Sequence, residues 1–131
     1  MKVDNWQNLL IEYVASAANG TFAYGQQDCA LFAAGAVDIQ LGTQYVKDWV
    51  GEYKSWPEGL RKLRKLGHDD HLALFGKHLT EVLPPFAQVG DIAAMGDAMG
   101  IVQGAGIYVL QDPKGIGLAP LTSATRVLRV E

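Results

Sequence analysis

Apolar residues near the start of the chain recur at helical spacing. Trp6, Leu9, Leu10, Tyr13, Val14 and Ala17 fall at i, i+3, i+4, i+7, i+8 and i+11. Asp4, with Gln7 three residues on, predicts a capping box, and Asn19-Gly20 predicts the left-handed stop. A second helix is predicted from Cys29 to Leu41, capped by Asp28 and ended by Gly42. Its Cys29, Ala30, Leu31, Phe32, Ala33, Ala34, Ala36 and Val37 leave it without a polar face, so it should be buried on nearly every side. Ser55-Trp56-Pro57-Glu58 opens a third helix with a Ser-x-x-Glu cap and an early proline, and Gly67 ends it. Leu60, Leu63 and Leu66 are expected to face inward there, with Arg61, Lys62, Arg64 and Lys65 toward water. A fourth helix follows Asp69-Asp70 with Leu72, Phe75 and Leu79 on its apolar side, and Pro84-Pro85 closes the helical part.

Short runs separated by glycines make up the rest. Strands are predicted at Asp91–Met95, Met99–Gln103, Ile107–Leu110 and Arg126–Val130. Gly96-Asp97, Gly104-Ala105-Gly106 and Pro113-Lys114-Gly115 supply the turns. Helices first and antiparallel strands after imply an α+β fold with the sheet packed on the Cys29–Leu41 helix. A length of 131 residues, without repeat or linker, suits a single domain over 1–131.

Composition narrows the function classes. Hydrophobic residues are 49% of the chain and charged residues 19%, below the roughly 25% usual in soluble domains, so a disordered chain is excluded. A net charge of −3 excludes nucleic-acid binding by bulk charge. The basic run Arg61-Lys62-Leu63-Arg64-Lys65 is read as the wet face of an amphipathic helix. The charge-free stretch from Ala98 to Gln111 is too short and too glycine-broken to span a bilayer, so no membrane insertion is expected. Lys2, Asp4 and Asn5 precede an amphipathic pattern and predict no secretory signal. A lone cysteine forms no internal disulfide and suits folding in a reducing cytoplasm. Nothing in the sequence calls for a cofactor.

Cys29 is the residue most open to chemistry. In the first turn of a capped helix, backbone N–H groups and the helix dipole stabilise a thiolate, so its pKa should fall unless burial outweighs them. The competing reading is a small buried hydrophobe. His68, His71 and His78 fall on or beside the fourth helix. As bases or metal ligands they match no common zinc spacing, and a solvated face beside Asp69 and Asp70 accounts for two of the three, so no metal is expected. Trp6, Trp49 and Trp56 with Tyr45 and Tyr53 are numerous for one domain. The Tyr45–Trp56 segment, bearing Trp49, Tyr53 and Trp56, is the candidate contact surface.

Tyr24-Gly25, followed by Asp28-Cys29 opening an apolar helix, resembles the nucleophile segment of the NlpC-type cell-wall cysteine peptidases, which have a papain-like fold. Val89-Gly90-Asp91-Ile92-Ala93 resembles that family's Gly-Asp strand. The run from Met99 to Gly106 resembles the strand that normally carries its histidine. Over nearly its full length the chain looks like a small phage and prophage family related to those peptidases. The shared features are the N-terminal Trp helix, Gly51-Glu52-Tyr53, Gly117-Leu118 and Pro120-Leu121.

The resemblance implies Cys29 as nucleophile with Tyr24 and Asp28 in support. It puts the histidine position at Ala98 and the third polar position at about Leu110. Alanine takes no proton and leucine orients no base, so a full triad is not expected. It thereby implies a phage tail-tip component, made in the host cytoplasm and built into the virion beside other tail-tip proteins, with its catalytic apparatus decayed. The alternative is a working cysteine peptidase or amidase that cleaves peptidoglycan stem peptides during phage entry.

Overall fold

A computed structural model describes residues 1–131. Four helices come first: α1 (Trp6–Ala17), α2 (Cys29–Leu41), α3 (Trp56–Lys65) and α4 (His71–His78). Six strands follow: β1 (Thr80–Val82), β2 (Ile92–Met95), β3 (Ala98–Val102), β4 (Gly106–Leu110), β5 (Ile116–Pro120) and β6 (Arg126–Arg129). They form one antiparallel sheet in the order β1-β6-β2-β3-β4-β5, which makes the chain an α+β protein.

The local signals for α2 were sufficient. Asp28 accepts from the Leu31 amide at 2.9 Å, and Gly42 closes the helix at φ 74°, a conformation glycine adopts without penalty. Ser55 and Asp70 cap α3 and α4 through the amides of Glu58 and Ala73. Three expectations need correction. α1 is preceded by Asn5 at φ 63°, with no side-chain cap, so Asp4 does not cap it. Gly20 is not in the left-handed region, and α1 ends through backbone bonds of Ala18 to Ser16 and Val14. Leu66 sits beyond the last turn of α3 and is 58% exposed, whereas Leu63 is buried.

Two strands went unforeseen. β1 lies after α4 and pairs with β6 from Thr80↔Arg129 to Val82↔Val127. β5 pairs along the whole of β4, from Gly106↔Pro120 to Leu110↔Ile116.

Alternation along the strands sorts the core into two faces. Ile92, Ala94, Met99, Ile101 and Leu128 meet Phe32, Ala33, Ala36 and Val37 of α2 and Leu10 and Val14 of α1. Ala93, Val102, Ile107 and Val127 form a smaller cluster on the other face. At the start of β2 the buried Asp91 accepts from the Gln88 amide at 2.8 Å, Arg129 Nε at 3.0 Å and the Val130 amide at 3.2 Å. That carboxylate locks β2 to the C-terminal strand, giving the Gly90-Asp91 pair a structural role.

Candidate functional site

The N-terminus of α2 is built around Asp28, which is almost wholly buried. Besides capping Leu31, it accepts from the Gly25 amide at 3.0 Å and the Tyr53 hydroxyl at 2.5 Å. Gly25 is at φ 81°, and a Cβ there would collide with the Tyr53 carbonyl oxygen, so the tight turn requires glycine. Burial, then the bond to Asp28, raises the Tyr53 pKa and keeps it the proton donor of the pair.

Cys29 is the first residue of α2 and is half-buried. Burial pushes its thiol above the usual 9.0. Hydrogen bonds from the backbone of Met99, Ala30 and Cys29 itself pull it down, and the Asp28 charge pushes it up again. Burial therefore outweighs the helix N-terminus, and the group is a thiol at neutral pH. Iodoacetamide should modify Cys29 slowly at pH 7, at a rate still climbing above pH 9.0. A rate midpoint well below ~7 would contradict this assignment.

The Met99 backbone brings β3 to the thiol, and Ala98 is the neighbouring residue on that strand. Ala98 is exposed on the β2–β3 hairpin, and Leu110, at the end of β4, packs against the main core. Neither offers a polar atom to the thiol.

A cavity of about 280 Å³ opens beside Cys29 between α2, α3, α4 and the 45–56 segment. Asp38 fixes that segment, accepting from Thr43 Oγ1 at 2.6 Å and from the amides of Tyr45 and Val46 at 2.9 and 3.0 Å. Of the aromatic residues expected at a contact surface, Tyr53 turns inward. Tyr53 is only 8% exposed because its hydroxyl reaches Asp28, and the half-buried Trp49 and Trp56 wall the cavity. Tyr24 is 41% exposed, stands at the same cavity and packs edge-on against Phe22.

The three histidines separate. His68 is half-buried, His78 is exposed, and His71, the first residue of α4, is 5% exposed and lines the cavity with Cys29. Its ring lies edge-on to Trp56 at 5.0 Å between centroids. Nε2 stands 3.0 Å from the Asp97 carbonyl oxygen, which can only accept, so Nε2 carries the proton. Nδ1 is buried without a partner. Burial lowers the pKa of this ring more than Asp70 and the Asp97 backbone raise it, and the ring is neutral at pH 7. His71 is thus the one histidine of the three that is buried away from a solvated face. Its spacing of three from His68 carried no sign of this, because the Asp97 carbonyl that holds it is 26 residues away.

No three His, Cys, Asp or Glu side chains converge in a metal-holding group. No helix is long and apolar enough to cross a membrane. No curated protein and no solved structure matches the chain. Residues 1–130 match a family model described as a domain of unknown function, DUF6950, and the chain belongs to that family.

Proposed function

We propose that the chain is a structural or assembly protein of a phage tail, in the tip region, on a papain-like fold that no longer hydrolyses. The observation that carries this reading is Ala98. At the strand position where the resemblance puts a histidine stands an exposed methyl group, next to the residue whose backbone meets the Cys29 thiol. Leu110 packs into the core and orients nothing, and the thiol holds its proton at neutral pH. A fold kept without its chemistry acts through what it touches. Leu83 and Phe86, 67% and 66% exposed, stand with Val89 on the loop between β1 and β2. Apolar side chains exposed on one short loop suit a protein partner, here another tail-tip protein.

One observation favours a second reading, hydrolysis of peptidoglycan stem peptides through Cys29. His71, with its unpartnered Nδ1, lines the same cavity as the thiol. Digestion of purified muropeptides separates the two. The wild type should release no product, and neither should Ala98→His, because Leu110 cannot orient the introduced ring. Product formation that disappears in Cys29→Ala would overturn the assembly reading and install the second.

A further inference from the structure

We propose that the outer edge of β5 is a dimer interface, pairing antiparallel with β5 of a second copy of this chain about a two-fold axis at Gly117. The inference is independent of the tail-assembly reading, which uses the Leu83–Val89 loop between β1 and β2.

β5 is the last strand of the sheet, with β4 on one side and no strand on the other. The bonds at the two ends of the β4–β5 pair fix which groups face out. The Gln111 amide donates to the Gly115 carbonyl at 2.9 Å, and the Leu121 amide to the Ala105 carbonyl at 2.9 Å. Bonded and non-bonded pairs alternate along an antiparallel ladder. The backbone groups of Gly117 and Ala119 therefore face β4, and those of Ile116, Leu118 and Pro120 face outward. Proline has no amide proton, and the Pro120 carbonyl already accepts from Ser123 Oγ at 2.6 Å. The outer N–H and C=O of Ile116 and Leu118 meet no partner within the chain. The free edge is thus two donors and two acceptors, arranged evenly about Gly117.

That set selects the occupant. In a two-fold pair centred on Gly117, Ile116 of each copy stands opposite Leu118 of the other, and every free group is bonded. An axis at Leu118 would set Ile116 against Pro120 of the other copy, which has no proton for the Ile116 carbonyl. The side chains agree with the Gly117 axis. A non-bonded pair there brings two Cα atoms to about 4.5 Å, and neither carries a side chain. Ile116 and Leu118 of opposite copies meet on one face, which covers Leu118, 62% exposed in the single chain. The axis also sends the two copies of Lys114 to opposite ends of the pair.

The two edges of the sheet are protected unequally. β1 is three residues long, carries Glu81 and runs on into Pro84-Pro85. Residues 115–121 carry no charge, and an uncharged free edge invites a further strand. The bridge of Thr21 to Lys114 closes one end of this edge, and the chain turns away at Leu121–Ser123 on the other. The opening is the length of β5 itself, five residues. So short an edge buries well under the ~800 Å² per partner of a stable complex, so association is expected to be reversible, with a Kd on the order of 100 μM.

Sedimentation velocity of the wild type from about 10 μM to about 1 mM should show a reversible rise toward twice the monomer mass. Over the same range, NMR hydrogen exchange at the Ile116 and Leu118 amides should slow, while exchange at Leu83 and Val89 stays constant. Leu118→Lys puts a charge on the edge and should weaken association at least about tenfold. Phe86→Ser should leave it unchanged. The exchange measurement needs no variant, so a misfolded Leu118→Lys would not shelter the inference. A chain that stays monomeric at the highest concentration would overturn it. So would a dimer whose Ile116 and Leu118 amides exchange as in the monomer, or one that Phe86→Ser dissolves, since either puts the contact elsewhere.

Discussion

Replacing Asp28 by alanine is expected to cost about 3–5 kcal/mol of folding stability. Three donors converge on this carboxylate: the Leu31 amide, the Gly25 amide and the Tyr53 hydroxyl. Each would be left buried or half-buried without an acceptor, at roughly 1–3 kcal/mol apiece, softened where water can enter. Asp28→Asn should fall between wild type and alanine. Its carbonyl oxygen can still cap α2, and its amide nitrogen can donate to the Tyr53 oxygen, but the Gly25 amide loses its acceptor. Urea unfolding at unchanged slope measures both. A loss below about 1 kcal/mol for Asp28→Ala would show that the turn from Tyr24 to Asp28 is held by something else.

Phe32→Ala is expected to cost a similar ~3–5 kcal/mol, through a different mechanism. The ring is 2% exposed, stacks on Tyr13 at 5.8 Å between centroids and belongs to the cluster joining α1, α2 and the sheet. Truncation removes apolar area and leaves a cavity that α2 cannot close, because Ala33, Ala36 and Val37 already pack on the strands. The Tyr13 hydroxyl bond to the Phe32 carbonyl, 2.8 Å long, should survive, since it uses the backbone. Calorimetric or urea unfolding checks the value. A loss under about 1 kcal/mol would mean that α2 is not the centre of the core.

How much of this was legible in the sequence depended on how local each signal is. α2 was readable to the residue because its cap, its apolar run and its terminating Gly42 lie within fifteen positions. β5 was not, because Gly117 and Pro120 weaken its strand signal and its existence depends on pairing with β4. β1 is three residues long and is held by β6 and by the ion pair of Glu81 with Arg126, 45 positions away. The site divides in the same way. The place of Cys29 at a helix start was legible from Asp28-Cys29. The inward turn of Tyr53 was not, because it answers a carboxylate 25 residues earlier. The burial of His71 was not legible either, because the Asp97 turn carbonyl it bonds is 26 residues away. The thiol's raised pKa likewise comes from packing around α2, which a capping pattern cannot weigh against the dipole.

The exposed Leu83, Phe86 and Val89 give the assembly reading a surface that sequence analysis had placed at Trp49, Tyr53 and Trp56. Phe86→Ser should leave stability within about 0.5 kcal/mol of wild type, since the ring is mostly in solvent, while weakening partner binding. The central proposal, residence in a phage particle, is tested most directly by mass spectrometry of virions purified after phage induction in a host that carries the chain's gene. The account predicts its peptides in intact particles at a fixed ratio to the other tail proteins, reduced when Phe86→Ser replaces the wild type. Absence of the chain from particles, with no tail intermediate co-purifying, would contradict it.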